Sequence, residues 1–169
     1  VLLLTRYGSG AATVGAMWAV MGVTGIIAGA LAGRMDSEGR EVWFIAVGAA
    51  VSVVAMGCML VAATVGGGVP MVAAGMAVFG IANGPFDIGL FSLRQRATAP
   101  AWMGRAFAVS MSLNFVGLPV GSALAGPIVD HSAGAAFALA LSASALGGVA
   151  AVALLRPVRQ RRVSGAEYN

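Results

Sequence analysis

Asp87 is the one acid set well inside a long apolar stretch of this 169-residue chain. A carboxylate within a bilayer costs about 2.5–3.5 kcal/mol on insertion scales, so it needs a partner or a polar cavity. Asn83 precedes it by one helical turn, and Arg94 follows seven residues later, two turns along the same face. Two chemistries fit this spacing. Asp87 can exchange a proton or hold a substrate cation at the inner side of a cavity, or it can form a structural ion pair with Arg94 or Arg105. Asn114, in the following apolar stretch, is the other polar candidate. Asn83 and Asn114 either line a cavity or hydrogen-bond across helices.

Other chemistry is absent from the sequence. His131 is the single histidine, whereas a metal site needs three or four ligands. Cys58 is the single cysteine and reads as a small buried hydrophobe. No phosphate-binding loop, catalytic pair or paired carboxylates are visible. The chain is therefore read as a non-enzyme without cofactor or metal.

The elements that position Asp87 follow from composition. Hydrophobic residues make up 59% of the chain and charged residues 9%, against about 25% charged in an ordinary soluble domain. So few polar side chains cannot cover a water-facing surface, and the solvent for most of the chain is lipid. Crossing the hydrocarbon core takes about 20 apolar residues in helix. Five stretches meet this, at about 13–33, 42–65, 70–93, 105–129 and 133–155. They are apolar on every side, which excludes the alternation of barrel strands. The predicted fold is an all-α, polytopic transmembrane bundle over residues 1–155, with five full spans, followed by an Arg-rich tail at 156–169.

The charges then give orientation. Arg34 and Arg40 flank the first connection, Arg94, Arg96 and Arg105 cluster at the third, and Arg156, Arg159, Arg161 and Arg162 follow the fifth span. The second and fourth connections carry no arginine. Cationic loops stay on the cytoplasmic side, which predicts a cytoplasmic C-terminus and places residues 6–10 outside. The net charge of +4 thus records orientation, and nucleic acid is excluded as a partner. The abundance of Ala, Gly and Arg without Lys fits a GC-rich bacterial genome, so the expected location is the bacterial inner membrane.

Small residues supply the packing faces. Gly25, Gly29 and Gly33 recur every four residues in the first span, and Gly117, Gly121 and Ala125 repeat this in the fourth. Such faces let helix backbones approach closely. They predict either static packing or a sliding seam.

Residues 29–40 run from a glycine face through Arg34 to a turn at Gly39 and Arg40. This stretch resembles the glycine-rich, Arg-bearing loop of the major facilitator superfamily. Gly29, Arg34, Gly39 and Arg40 match its pattern, while Gly33 stands where an acid is usual and the turn is longer. A second stretch, Asn83-Gly84-Pro85-Phe86-Asp87 followed by Arg94, Arg96, Pro100 and Met103-Gly104-Arg105-Ala106, is similar to the tenth-to-eleventh helix region of drug-exporter-like members. Gly117, Pro119, Gly121, Gly126 and Pro127 through Asp130 look like the eleventh helix. The resemblance implies half of a twelve-helix carrier: helices eight to twelve, with residues 1–4 the end of helix seven and the N-terminal half missing.

What the resemblance implies is alternating access, with two half-bundles rocking about a cavity to move a small molecule, and proton-coupled efflux as the leaning. The glycine-rich loop with Arg94 and Arg105 would then act as a gate latch. The rival within transport is a carrier in which Asp87 is only structural. The rival of another class is a non-transporting membrane scaffold, or a half-bundle that needs a partner chain.

Overall fold

The computed structural model describes residue 3 and residues 7–166, with side chains described as far as Leu155. The expectations for residues 1–2 and 4–6, including Arg6, lie outside the described residues, as do the last three residues of the tail.

Among the described residues five long α-helices form in order: α1 Ala11–Ala32, α2 Glu41–Thr64, α3 Gly68–Ala97, α4 Met103–His131 and α5 Ala133–Ala166. No strand is present among the described residues. All five helices are long and apolar enough to cross a membrane, and the chain is a multi-pass membrane protein. Isoleucines, leucines and tryptophans such as Trp18, Ile26 and Leu118 stay on the outside. In hydrocarbon that exposure costs nothing, because lipid tails are as apolar as the side chains.

The helix ends differ from the sequence expectation in instructive ways. Arg94 and Arg96, expected in a loop, lie in the last turn of α3. Leu93, Arg94, Gln95, Arg96 and Ala97 are all good helix formers. The break comes only at Thr98 and Ala99, which are extended ahead of a 3₁₀ turn at Pro100–Trp102, as a following proline demands. Between α4 and α5 the chain leaves the helix only at Ser132, whose Oγ accepts the Ala135 N–H at 3.2 Å and caps α5. Arg156, Arg159, Arg161 and Arg162 continue α5 as helix.

Two turns depend on glycine. Gly39 takes φ +67° in the turn that precedes α2, and Gly66, Gly67 and Gly68 take φ +116°, +113° and +66° in succession. Side-chain-bearing residues rarely adopt that region, so the three glycines allow α2 to reverse into α3 within a few residues.

In space the packing order is α1, α3, α2, α5. α3 lies in the middle of the first three helices, although α1 and α2 are neighbours in sequence. Phe44 and Ile45 of α2 are fully buried, as are Ala55, Ala62 and Ala82. A second cluster joins Met59, Ala62 and Ala63 to Val72, with Tyr7 and Phe137 against it; the Tyr7 hydroxyl donates to the Ala62 carbonyl at 2.7 Å. α4 packs only lightly on its neighbours, and none of its residues is buried.

Candidate functional site

The site is built on the crossing of α1 and α3, where glycines lower the barrier to contact. A Cβ placed on Gly25 would meet the Gly80 carbonyl oxygen at 3.4 Å, and one placed on Gly29 would meet the Gly84 Cα at 4.0 Å. Gly25 and Gly29 therefore face Gly80 and Gly84, one small-residue ridge against another. Gly33 ends α1 in a right-handed conformation, its N–H donating to the Gly29 carbonyl at 2.8 Å. On the other side of α3, Gly89 accommodates the Glu41 carbonyl oxygen and Phe44 Cβ, while Gly48 of α2 accommodates Phe86.

Beside this seam opens a crevice of ≈ 390 Å³, lined among others by Met21, Gly22, Gly25, Gly29, Asn83 and Asp87. Asn83 and Asp87 are one turn apart on α3, so both polar groups reach the same opening. The glycines opposite supply space but no side chain. Among the described residues neither Asn83 nor Asp87 has a hydrogen-bond or ion-pair partner. No contact within 4 Å joins Asp87 to Arg94 or Arg105, but the Arg94 charge acts on the Asp87 carboxylate from beyond that distance. Arg94 instead lies over the Phe91 ring at 5.7 Å, with its Nη1 buried and unpartnered. Phe91 in turn stacks on Phe107 of α4 at 5.9 Å. Arg105 sits over Trp102 at 5.1 Å.

A second polar cluster lies at the α1–α2 connection. Arg96 Nη1 reaches Glu38 Oε1 at 2.9 Å and Arg96 Nε reaches Glu41 Oε1 at 3.1 Å. Ser37 and Ser92 hydroxyls stand 3.3 Å apart, and Asp36 Oδ1 accepts the Glu38 N–H at 2.9 Å. The loop is thus tied to the end of α3 by one guanidinium and one hydroxyl pair. Glu41 is buried within this cluster at the N-terminus of α2, where a negative charge is favoured by the helix dipole. Arg40 packs over Trp43 at 4.9 Å and Phe44 at 6.0 Å.

The structure therefore brings together Asp87, Asn83, Gly25 and Gly29, and it places Gly39 and Arg40 beside the loop-to-α3 tie. Arg34 is exposed at the end of α1. Asn114 is exposed on α4 and does not line the Asp87 crevice, and Gly117 and Gly121 of α4 meet nothing within 4 Å. Sequence reasoning missed Glu38, Glu41 and the bridging role of Arg96. The signal was available: the alternating topology puts the 34–40 loop and the end of α3 at one membrane face, where acids and an arginine must meet.

Comparison with known proteins agrees with this architecture. The chain is similar to an uncharacterized MFS-type transporter of Sinorhizobium fredii, with 34% identity over 146 residues covering 86% of this chain. That likeness supports membership of the major facilitator superfamily. The chain spans about a third of the length of that relative, 35%. No family model matches the sequence, and no solved structure matches it.

Proposed function

We propose that this chain forms one half-bundle of a major facilitator carrier that moves a small molecule across the bacterial inner membrane by alternating access. The observation that carries the reading is the Asp87–Asn83 pair opening into a crevice beside the glycine seam. A carboxylate in such a crevice, in no close ion pair and attracted only at longer range by Arg94, can take up and release a proton or a substrate cation as access changes. The seam gives the movement a low-friction track: glycine backbones can slide without side chains to disengage. Arg96, holding both the loop acids and the end of α3, is suited to act as a latch that forms in one access state and releases in another.

The finer reading is proton-coupled efflux with the C-terminus in the cytoplasm. It rests on the drug-exporter-like stretch at Asn83–Asp87 and on the arginine distribution. Carriers rock one repeat against another, so the complete activity requires the opposing half-bundle.

The experiment is flux in proteoliposomes holding the full-length carrier, with an imposed pH gradient and a lipophilic cationic dye as the probe. Asp87→Asn should abolish gradient-driven dye movement while counterflow exchange continues. Gradient-driven movement equal to wild type would remove Asp87 from the coupling.

A further inference from the structure

We infer that the crevice between α1 and α2 is a binding site for an anionic phospholipid, with an acyl chain in the crevice and the headgroup phosphate on Arg40. The crevice holds ≈ 420 Å³. Its walls come from Ile27 and Leu31 of α1 and from Trp43 and Val47 of α2, and its floor from Ile81 and Pro85 of α3. α1 and α2 are held apart by α3, so the groove is recessed and not a flat lipid-facing surface. Its lining is almost wholly apolar, which fits a hydrocarbon chain and offers a polar substrate no hydrogen bond.

One end of the crevice is charged. Trp43 and Phe44 both line it, and the Arg40 guanidinium lies 4.9 Å and 6.0 Å from their ring centroids. Tryptophan is favoured at the headgroup level of a bilayer, so the stacked guanidinium is held where phosphates lie. The neighbouring acids make no ion pair with it. Glu38 and Glu41 are taken by Arg96, and Asp36 Oδ1 accepts the Glu38 N–H. Among the described residues neither Arg34 nor Arg40 has an ion-pair partner. A guanidinium stacked on two rings that line an apolar groove, and in no ion pair, is complementary to a molecule with a phosphate at one end and a hydrocarbon tail at the other. A guanidinium can bind that phosphate through two parallel N–H donors.

The inference is independent of transport and is read without it. The full-length protein is exchanged into mixed vesicles of phosphatidylcholine and phosphatidylglycerol, extracted, and analysed by native mass spectrometry for retained lipid. Phosphatidylglycerol should be retained over phosphatidylcholine. Arg40→Ala should lower that retention about fivefold, the effect of one basic residue near an anionic surface, and Arg34→Ala should lower it less. Arg40→Lys should restore most of it. Ile81→Trp, which fills the crevice from a half-exposed position, should displace the lipid while Arg40 stays in place. Equal retention of both lipids by the wild type, or unchanged retention in Arg40→Ala, would overturn the site; so would unchanged retention in a folded Ile81→Trp protein.

Discussion

Gly29 and Gly84 meet backbone to backbone, and they meet unequally. A methyl group on Gly84 would stand 2.6 Å from the Ala28 carbonyl carbon, whereas one on Gly29 would stand 4.0 Å from the Gly84 Cα, an ordinary contact. Gly84→Ala should therefore push α1 away from α3, and Gly29→Ala should be accommodated. Forced overpacking costs about 1–3 kcal/mol, and that range is expected for Gly84→Ala in thermal unfolding of the purified protein in detergent. Gly29→Ala should stay near wild type. Equal destabilisation by the two would show that the seam is symmetric and that the observed register is wrong.

The two acids on Arg96 differ in environment, and so should their variants. The Glu38 side chain is 74% exposed and the Glu41 side chain 10%. Exposed pairs contribute about 0.2–1 kcal/mol, whereas a hydrogen bond to a charged group shielded from water contributes about 1.5–3 kcal/mol. Glu41→Gln should therefore cost more stability than Glu38→Gln. A double-mutant cycle with Arg96→Met checks this: the coupling to Glu41 should exceed the coupling to Glu38.

Arg94 is the contrasting cation. Its Nη1 is buried with no hydrogen-bond acceptor, and only the Phe91 ring and the longer-range attraction to Asp87 offset the desolvation cost of the group. Arg94→Met removes that cost together with the guanidinium–ring contact to Phe91. The variant should be neutral or slightly stabilising in the same unfolding measurement, while Arg96→Met should be destabilising. A loss of stability in Arg94→Met comparable to that of Arg96→Met would show that the attraction between Arg94 and Asp87 is a structural pairing.

These contrasts also mark what the sequence could and could not convey. The five helices were legible because each is an unbroken apolar run of the length a bilayer requires. The Gly25–Gly29 face was legible from its four-residue period. Its partner was not: nothing local says that Gly80 and Gly84 of α3, and not a face of the adjacent α2, will lie against it. The charges mark orientation, and the gate-latch reading of the glycine-rich loop points to Arg94 and Arg105 and not to Arg96. Arg96 follows the apolar run and so reads as part of a cationic loop, yet helix propensity carries α3 through it and aims it at Glu38 and Glu41. Asn114 and Asp87 share a chemistry on paper, but α4 stands apart from the α1–α3 crossing, and a pattern in one helix cannot reveal that.

Sidedness follows from the arginines and gives a clean test. The α3–α4 connection at 98–102 is flanked by Arg94, Arg96 and Arg105, whereas the α2–α3 turn at 65–67 has no charge near it. If cationic loops are retained inside, Ala99 faces the cytoplasm and Val65 the opposite side. Both are exposed, Val65 at 83%. Cys58, the single native cysteine, lies within α2, and Cys58→Ser provides a background without thiols. In that background Val65→Cys should react with a membrane-impermeant maleimide added to intact cells. Ala99→Cys should react only after permeabilisation. Labelling of Ala99→Cys in intact cells would invert the topology. The Arg96 tie and the inner end of the Asp87 crevice would then face outward, and proton uptake at Asp87 would have to proceed from the other side.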